Sequence, residues 1–174
     1  MQSQLIRLLE RHEPHDATER DHLSRTLEFV RRTPPCTSRR TQEGHVTASA
    51  WLLSPDRRAA LLTHHRKLGR WFQPGGHIED DATIQDAALR EAREESGIID
   101  LALVSEAIFD VDVHLIPARK GEPDHWHFDV RFLVQAGTRE FAVGAESIDL
   151  AWRELDALVD VDESILRMVR KTVG

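Results

Sequence analysis

Three glutamates, Glu91, Glu94 and Glu95, stand at i, i+3 and i+4 in the segment Arg90-Glu91-Ala92-Arg93-Glu94-Glu95. On a helix that spacing puts the carboxylates on one face, where like charges repel by roughly a few tenths of a kcal/mol per pair. A bound divalent cation removes the repulsion. Hard cations such as magnesium take oxygen ligands and share their shell with substrate phosphates. The cluster therefore points to metal-assisted chemistry on a phosphate compound. Seven acids against two bases lie between Glu79 and Glu95, a density that suits a metal better than a bare phosphate.

Histidine is the second unusual feature, with ten in the chain. His77 directly follows Gly75-Gly76. His125, His127 and Asp129 alternate, so on a strand they share a face, and Trp126, Phe128 and Val130 turn to the core. His-x-His-x-Asp carries the donor types of a divalent transition-metal site. A phosphate-binding or proton-shuttling surface, and a polar strand face without chemistry, fit the same alternation. His64, His65, Arg66, Lys67 and Arg70 form a basic run before the glycines. That run could meet substrate phosphates, with Trp71 or Phe72 available for stacking; a solvated hairpin has the same composition. His12, His15 and His22 lie in the N-terminal segment, where no chemistry is expected.

These residues need elements to hold them. Residues 2 to 32 read as helical, interrupted at Pro14, with Asp16 or Thr18 as a cap for a second helix. Pro34-Pro35 ends that arm. His45 to Leu53 and Ala59 to Thr63 read as strands around a Ser54-Pro55-Asp56 turn. The glutamate helix runs from about Thr83 to Ser96, with Gly97 as its C′ residue and Ile84, Ala88 and Ala92 as a small-residue stripe able to approach a sheet closely. Leu101 to Pro117, His125 to Ala136 and Ile148 to Trp152 read as strand regions, followed by a helical turn at Glu154 to Val159 and a helix at Ser164 to Thr172. Alternating βαβ units are missing, so an α+β design with a mixed sheet is expected.

Bulk properties narrow the function. A chain of 174 residues with 40% hydrophobic and 30% charged residues suits one domain with a real core. A net charge of −7 argues against coating nucleic acid. The single cysteine, Cys36, excludes an intramolecular disulfide and a cysteine-based zinc site. No apolar run reaches the length of a membrane span, and the N-terminus lacks a signal-like apolar region, so the cytoplasm is the expected compartment.

The segment from Gly76 to Ile98 resembles the Nudix hydrolase signature: Gly, five residues, Glu, seven residues, then Arg-Glu-U-x-Glu-Glu-x-Gly-U, with U aliphatic. Gly76 opens the pattern, and Arg90-Glu91-Ala92-Arg93-Glu94-Glu95-Ser96-Gly97-Ile98 closes it in register, with Ala92 at the first U. Pro74-Gly75 also matches family usage. One position departs: the first glutamate falls on Ala82, with Asp81 beside it. The resemblance implies an α/β/α sandwich with a mixed central sheet over residues 43 to 174, preceded by a helical arm of residues 1 to 42. It implies attack of water at phosphorus in a diphosphate linked to another group, often a nucleoside. Glu91, Glu94, Glu95 and the Gly75 carbonyl would then hold Mg2+ or Mn2+, and Arg90 would orient a glutamate. Glu146, six residues before Trp152, is the first candidate for a further acid, and Asp149 the second. The expected partner is a small phosphoanhydride substrate, with no membrane and no stable nucleic acid, and a homodimer is open. Two other readings exist. An isomerase branch needs a catalytic cysteine, and Cys36 lies before the first core strand. A nucleotide-binding sensor without turnover is favoured by Ala82 and opposed by the full glutamate set.

Overall fold

Strand β1 (Gly44–Leu53) is buried along its whole length, and its side chains divide by parity between the two faces of the sheet. Val46, Ala48, Ala50 and Leu52 face one side, Trp51 and Leu53 the other, as the two-residue period of a strand requires. A computed structural model describes residues 1–65, 70–118, 121, 123–142, 149–159 and 161–174, with the side chain of His65 left out. Strand β2 is Ala59–His65, β3 Arg70–Phe72, β4 Gly75–His77, β5 Leu101–Leu103, β6 Asp110–Ile116, β7 His125–Ala136 and β8 Leu150–Glu154. Four helices accompany them: α1 (Gln2–Arg11), α2 (Ala17–Arg32), α3 (Ile84–Ser96) and α4 (Glu163–Val173).

The sheet is mixed. β1 and β7 run parallel in register from Gly44↔Trp126 to Leu53↔Gln135. β4 pairs antiparallel with β1 through Thr47↔His77 and Ser49↔Gly75, so the Gly75-Gly76-His77 segment, expected as a turn, is itself a short strand. β5 and β6 both pair with β7, and β8 pairs with β2. The long strand region expected over residues 101 to 117 is therefore two strands.

Helices cover both faces. Ile84, Ala87 and Ala88 of α3 share a core with Leu5, Leu9, Phe29 and Val30 of the arm and with Val46, Phe128 and Val130 of the sheet. Phe29 stacks on Phe128 at 4.1 Å between ring centroids. Ile165 and Met168 of α4 close the opposite face against Trp51, Ala60 and Leu62. Two helices begin at caps their sequence offers: Asp16 caps α2 by accepting from the Glu19 N–H at 2.8 Å, and Thr83 and Asp86 form a capping box on α3. The arm also closes a strand edge. The outward N–H groups of Val111 and Val113 on β6 donate to Glu19 Oε1 and His22 Nδ1 on α2.

Candidate active site

The glycine turn and α3 are fitted to each other at close range. A Cβ on Gly76 would stand 2.6 Å from Glu91 Oε2, so a side chain there would have to displace the Glu91 carboxylate. The Gly75 N–H donates to Glu95 Oε1 at 2.9 Å. At the other end of the helix, Gly97 takes a left-handed φ of 67° and donates to the Arg93 carbonyl.

Arg90 organises the acids. Its Nε and Nη2 donate to the two oxygens of Asp81 at 3.0 and 2.9 Å, and Nη2 also donates to the His77 carbonyl at 2.9 Å. Nη1 donates to Glu91 Oε1 at 2.8 Å and to Glu94 Oε2 at 3.1 Å. Asp81 thus occupies the guanidinium from the position beside Ala82, and its carboxyl is held below the ordinary range by that hydrogen bond. Glu91 moves the other way. Burial raises its pKa, Arg90 opposes the rise, and the charges of Glu94 and Glu79 add to it. Glu94 is the open member, with 60% of its side chain exposed.

The oxygen donors here fit a hard cation. Glu91, Glu94 and Glu95 bring three carboxylates to one helix beside a single guanidinium.

The histidines gather on the sheet face opposite α3. His125 and His127 share a face as their alternation suggested, His77 of β4 lies beside them, and His45 of β1 and His114 of β6 join through the registers His45↔His127 and His114↔His127. The rings of His45, His77 and His127 offer nitrogens that lie within 4.8 Å of one another. Asp129 has a different setting. It is 2% exposed, and its oxygens accept from Thr47, Ser49, Gln73 and Arg131.

Beyond Asp129 the same face becomes a buried ion network. Arg131 reaches Asp110 and Asp112, and Arg167 of α4 reaches Asp110 at 2.8 Å, Asp112 at 3.2 Å and the Val111 carbonyl. Lys171 joins Asp110 to Glu19, which also bonds His12. Burial alone would raise the pKa of Glu19, but hydrogen bonds from His12 and Lys171 hold it well below the carboxylate range.

Other expected contacts lie elsewhere or outside the description. Arg70 pairs with Asp162 at 3.1 Å on the surface. Trp71 packs beside His64 and beneath the Arg153 guanidinium. Arg66, Lys67 and Glu146 lie outside the described residues. Sequence reasoning missed His45 and His114. The signal for them was register: His45 stands beside His127 across the parallel β1–β7 pairing, which joins distant segments, and His114 across the antiparallel β6–β7 pairing.

A family model described as NUDIX domain matches residues 43–171. No curated protein matches. Among solved structures, a C. elegans Ap4A hydrolase in a binary complex superposes with a TM-score of 0.57 at 19% identity, covering 72% of this chain and 93% of that one. A Nudix-family hydrolase from Clostridium perfringens gives 0.55 at 24% identity, covering 75% and 96%. The NUDIX domain of Shewanella oneidensis NrtR complexed with ADP ribose gives 0.53 at 18% identity, covering 83% and 94%. At these identities the structures share a fold with this chain.

Proposed function

The chain belongs to the NUDIX domain family, and from that premise we propose that it hydrolyses a diphosphate linkage in a nucleoside diphosphate derivative or similar small molecule, with Mg2+ or Mn2+ held by Glu91, Glu94, Glu95 and the Gly75 carbonyl. The observation that carries the reading is Arg90, whose donors reach Asp81, Glu91, Glu94 and the His77 carbonyl together. This guanidinium fixes the carboxylates against the glycine strand and leaves Glu94 open to solvent. When bound, the cation would neutralise the diphosphate and stabilise charge on the leaving oxygen.

In the proposed reaction a water oxygen bonds to phosphorus, the bridging P–O bond breaks, and the leaving phosphate keeps the electron pair. The water proton passes to a carboxylate. Glu91 is the candidate when it is not engaged by the cation, since burial raises its pKa. Glu146, with Asp149 as second choice, is retained as a further acid ahead of β8. On the substrate side we place His77, His125 and His127, with Asp129 two residues further along the same strand, and keep Arg66, Lys67, Arg70 and Trp71 as candidates. The Ap4A hydrolase and ADP-ribose complexes among the structural relatives favour a nucleotide-derived substrate.

The test is a panel of dinucleoside polyphosphates, nucleoside diphosphate sugars and nucleoside triphosphates, with Mg2+ or Mn2+ and detection of released phosphate and nucleotide. At least one compound should turn over, and chelation should stop it. Tight binding of a nucleotide with no turnover across the panel would replace the hydrolase reading with the sensor reading.

A further inference from the structure

The five-histidine cluster has features that the proposed hydrolysis does not require. His45 is 2% exposed, and neither of its ring nitrogens has a hydrogen-bond partner among the described residues. The Nε2 of His127 is likewise buried without one. A buried polar group left unsatisfied is costly, and one nitrogen from each of His45, His77 and His127 lies within 4.8 Å of the others. The ring of His45 lies 5.0 Å from His77 and 4.8 Å from His127, with His125 and His114 flanking at 5.2 Å from His45 and 5.5 Å from His127.

We propose that His45, His77 and His127 form a second metal site, distinct from the glutamates of α3, that takes a divalent transition metal of the zinc or cobalt type. Three observations support it. The nitrogens of these residues already fall within 4.8 Å of one another; around a tetrahedral ion with bonds of about 2.0–2.1 Å they would close to about 3.4 Å. The donor set is all imidazole, which suits zinc, copper, nickel and iron rather than magnesium. The flanking rings are held elsewhere, His125 Nδ1 on the Pro123 carbonyl at 3.0 Å and His114 Nδ1 on Asp112 at 3.1 Å, which leaves His45, His77 and His127 as the ligand set.

Burial favours the neutral form of His45 and His127, the form that keeps a lone pair for a metal. Three protein ligands leave a fourth position for water or a phosphate oxygen, the arrangement of open zinc sites. His77 is only half-buried, which gives an ion a way in.

Cobalt provides a test that does not use turnover. Full-length protein stripped of metal is titrated with Co2+ and followed by visible absorption, in which a tetrahedral nitrogen-rich site is distinct from an octahedral oxygen site. The unmodified chain and the Glu91→Gln/Glu94→Gln variant should each take one equivalent with the tetrahedral spectrum. His127→Gln should weaken that binding by at least about 100-fold, beyond what loss of an outer partner produces. His77→Gln, at a half-buried position, gives the same reading should His127→Gln fail to fold. The inference is overturned if folded wild-type protein shows no tetrahedral signal, or if the signal is lost in the glutamate variant and kept in His77→Gln. Magnesium-dependent hydrolysis is measured separately, so either result leaves the hydrolase reading to its own test.

Discussion

Glu94 and Asp81 sit on opposite sides of Arg90 and should respond differently to substitution. Glu94 is exposed and tied by one hydrogen bond, so Glu94→Gln should leave thermal unfolding nearly unchanged while lowering turnover by at least ~100-fold, as loss of one strong charge-stabilising contact does. Wild-type rates in that variant would remove Glu94 from the site. Asp81 acts on the chemistry only through Arg90. Asp81→Ala frees two guanidinium donors, and turnover should fall by roughly 10–100-fold, the effect of losing an outer-shell partner, with the fall in kcat rather than KM. An Asp81→Ala enzyme with full kcat would show that Glu91 and Glu94 hold their places without the guanidinium. The glutamate spacing, the glycines and the Arg90–Glu94 pair were readable from the chain because they lie within one helix and its approach. The role of Asp81 was readable only as a neighbour of Ala82. Its bidentate contact depends on how the loop after β4 returns to the helix, which no local pattern encodes.

The elements beneath the histidine face are held by charges that the sequence does not advertise. Arg167 has 2% of its side chain exposed and bonds Asp110, Asp112 and the Val111 carbonyl. Its replacement by Met should cost about 3–5 kcal/mol in urea unfolding, because it strands buried carboxylates. A loss below about 1 kcal/mol, the size of an ordinary hydrogen bond, would show that Arg131 and Lys171 suffice. Glu19 adds a pH dependence. Its folded pKa lies below the ordinary value of 4.5, so its stabilisation is present above that pH and is lost as pH falls toward the folded value. Glu19→Gln should therefore flatten the stability curve below about pH 4.5, the unfolded value, when unfolding is measured across acid buffers. The C-terminal helix was readable from the chain at Ser164 to Thr172, but the burial of Arg167 was not. It is buried because Asp110, Val111 and Asp112 of β6 accept its donors, a tertiary circumstance that overrides the usual exposure of arginine.

At the scale of the molecule, the family match begins at residue 43, yet the core does not. Leu5, Leu9, Phe29 and Val30 are nearly fully buried in one cluster with Val111 and Phe128. A chain starting at residue 43 should lose cooperative thermal unfolding and bind a dye for exposed apolar surface, whereas full-length protein should melt in one transition; an equally sharp transition in the shortened chain would make the arm an appendage. The arm has one more consequence, for assembly. A strand with outward N–H groups is a template onto which another chain can add. Glu19 and His22 have already taken those groups on β6, so a second molecule that tried to extend the sheet there would first have to displace a helix, and self-association of this protein is steered to some other surface.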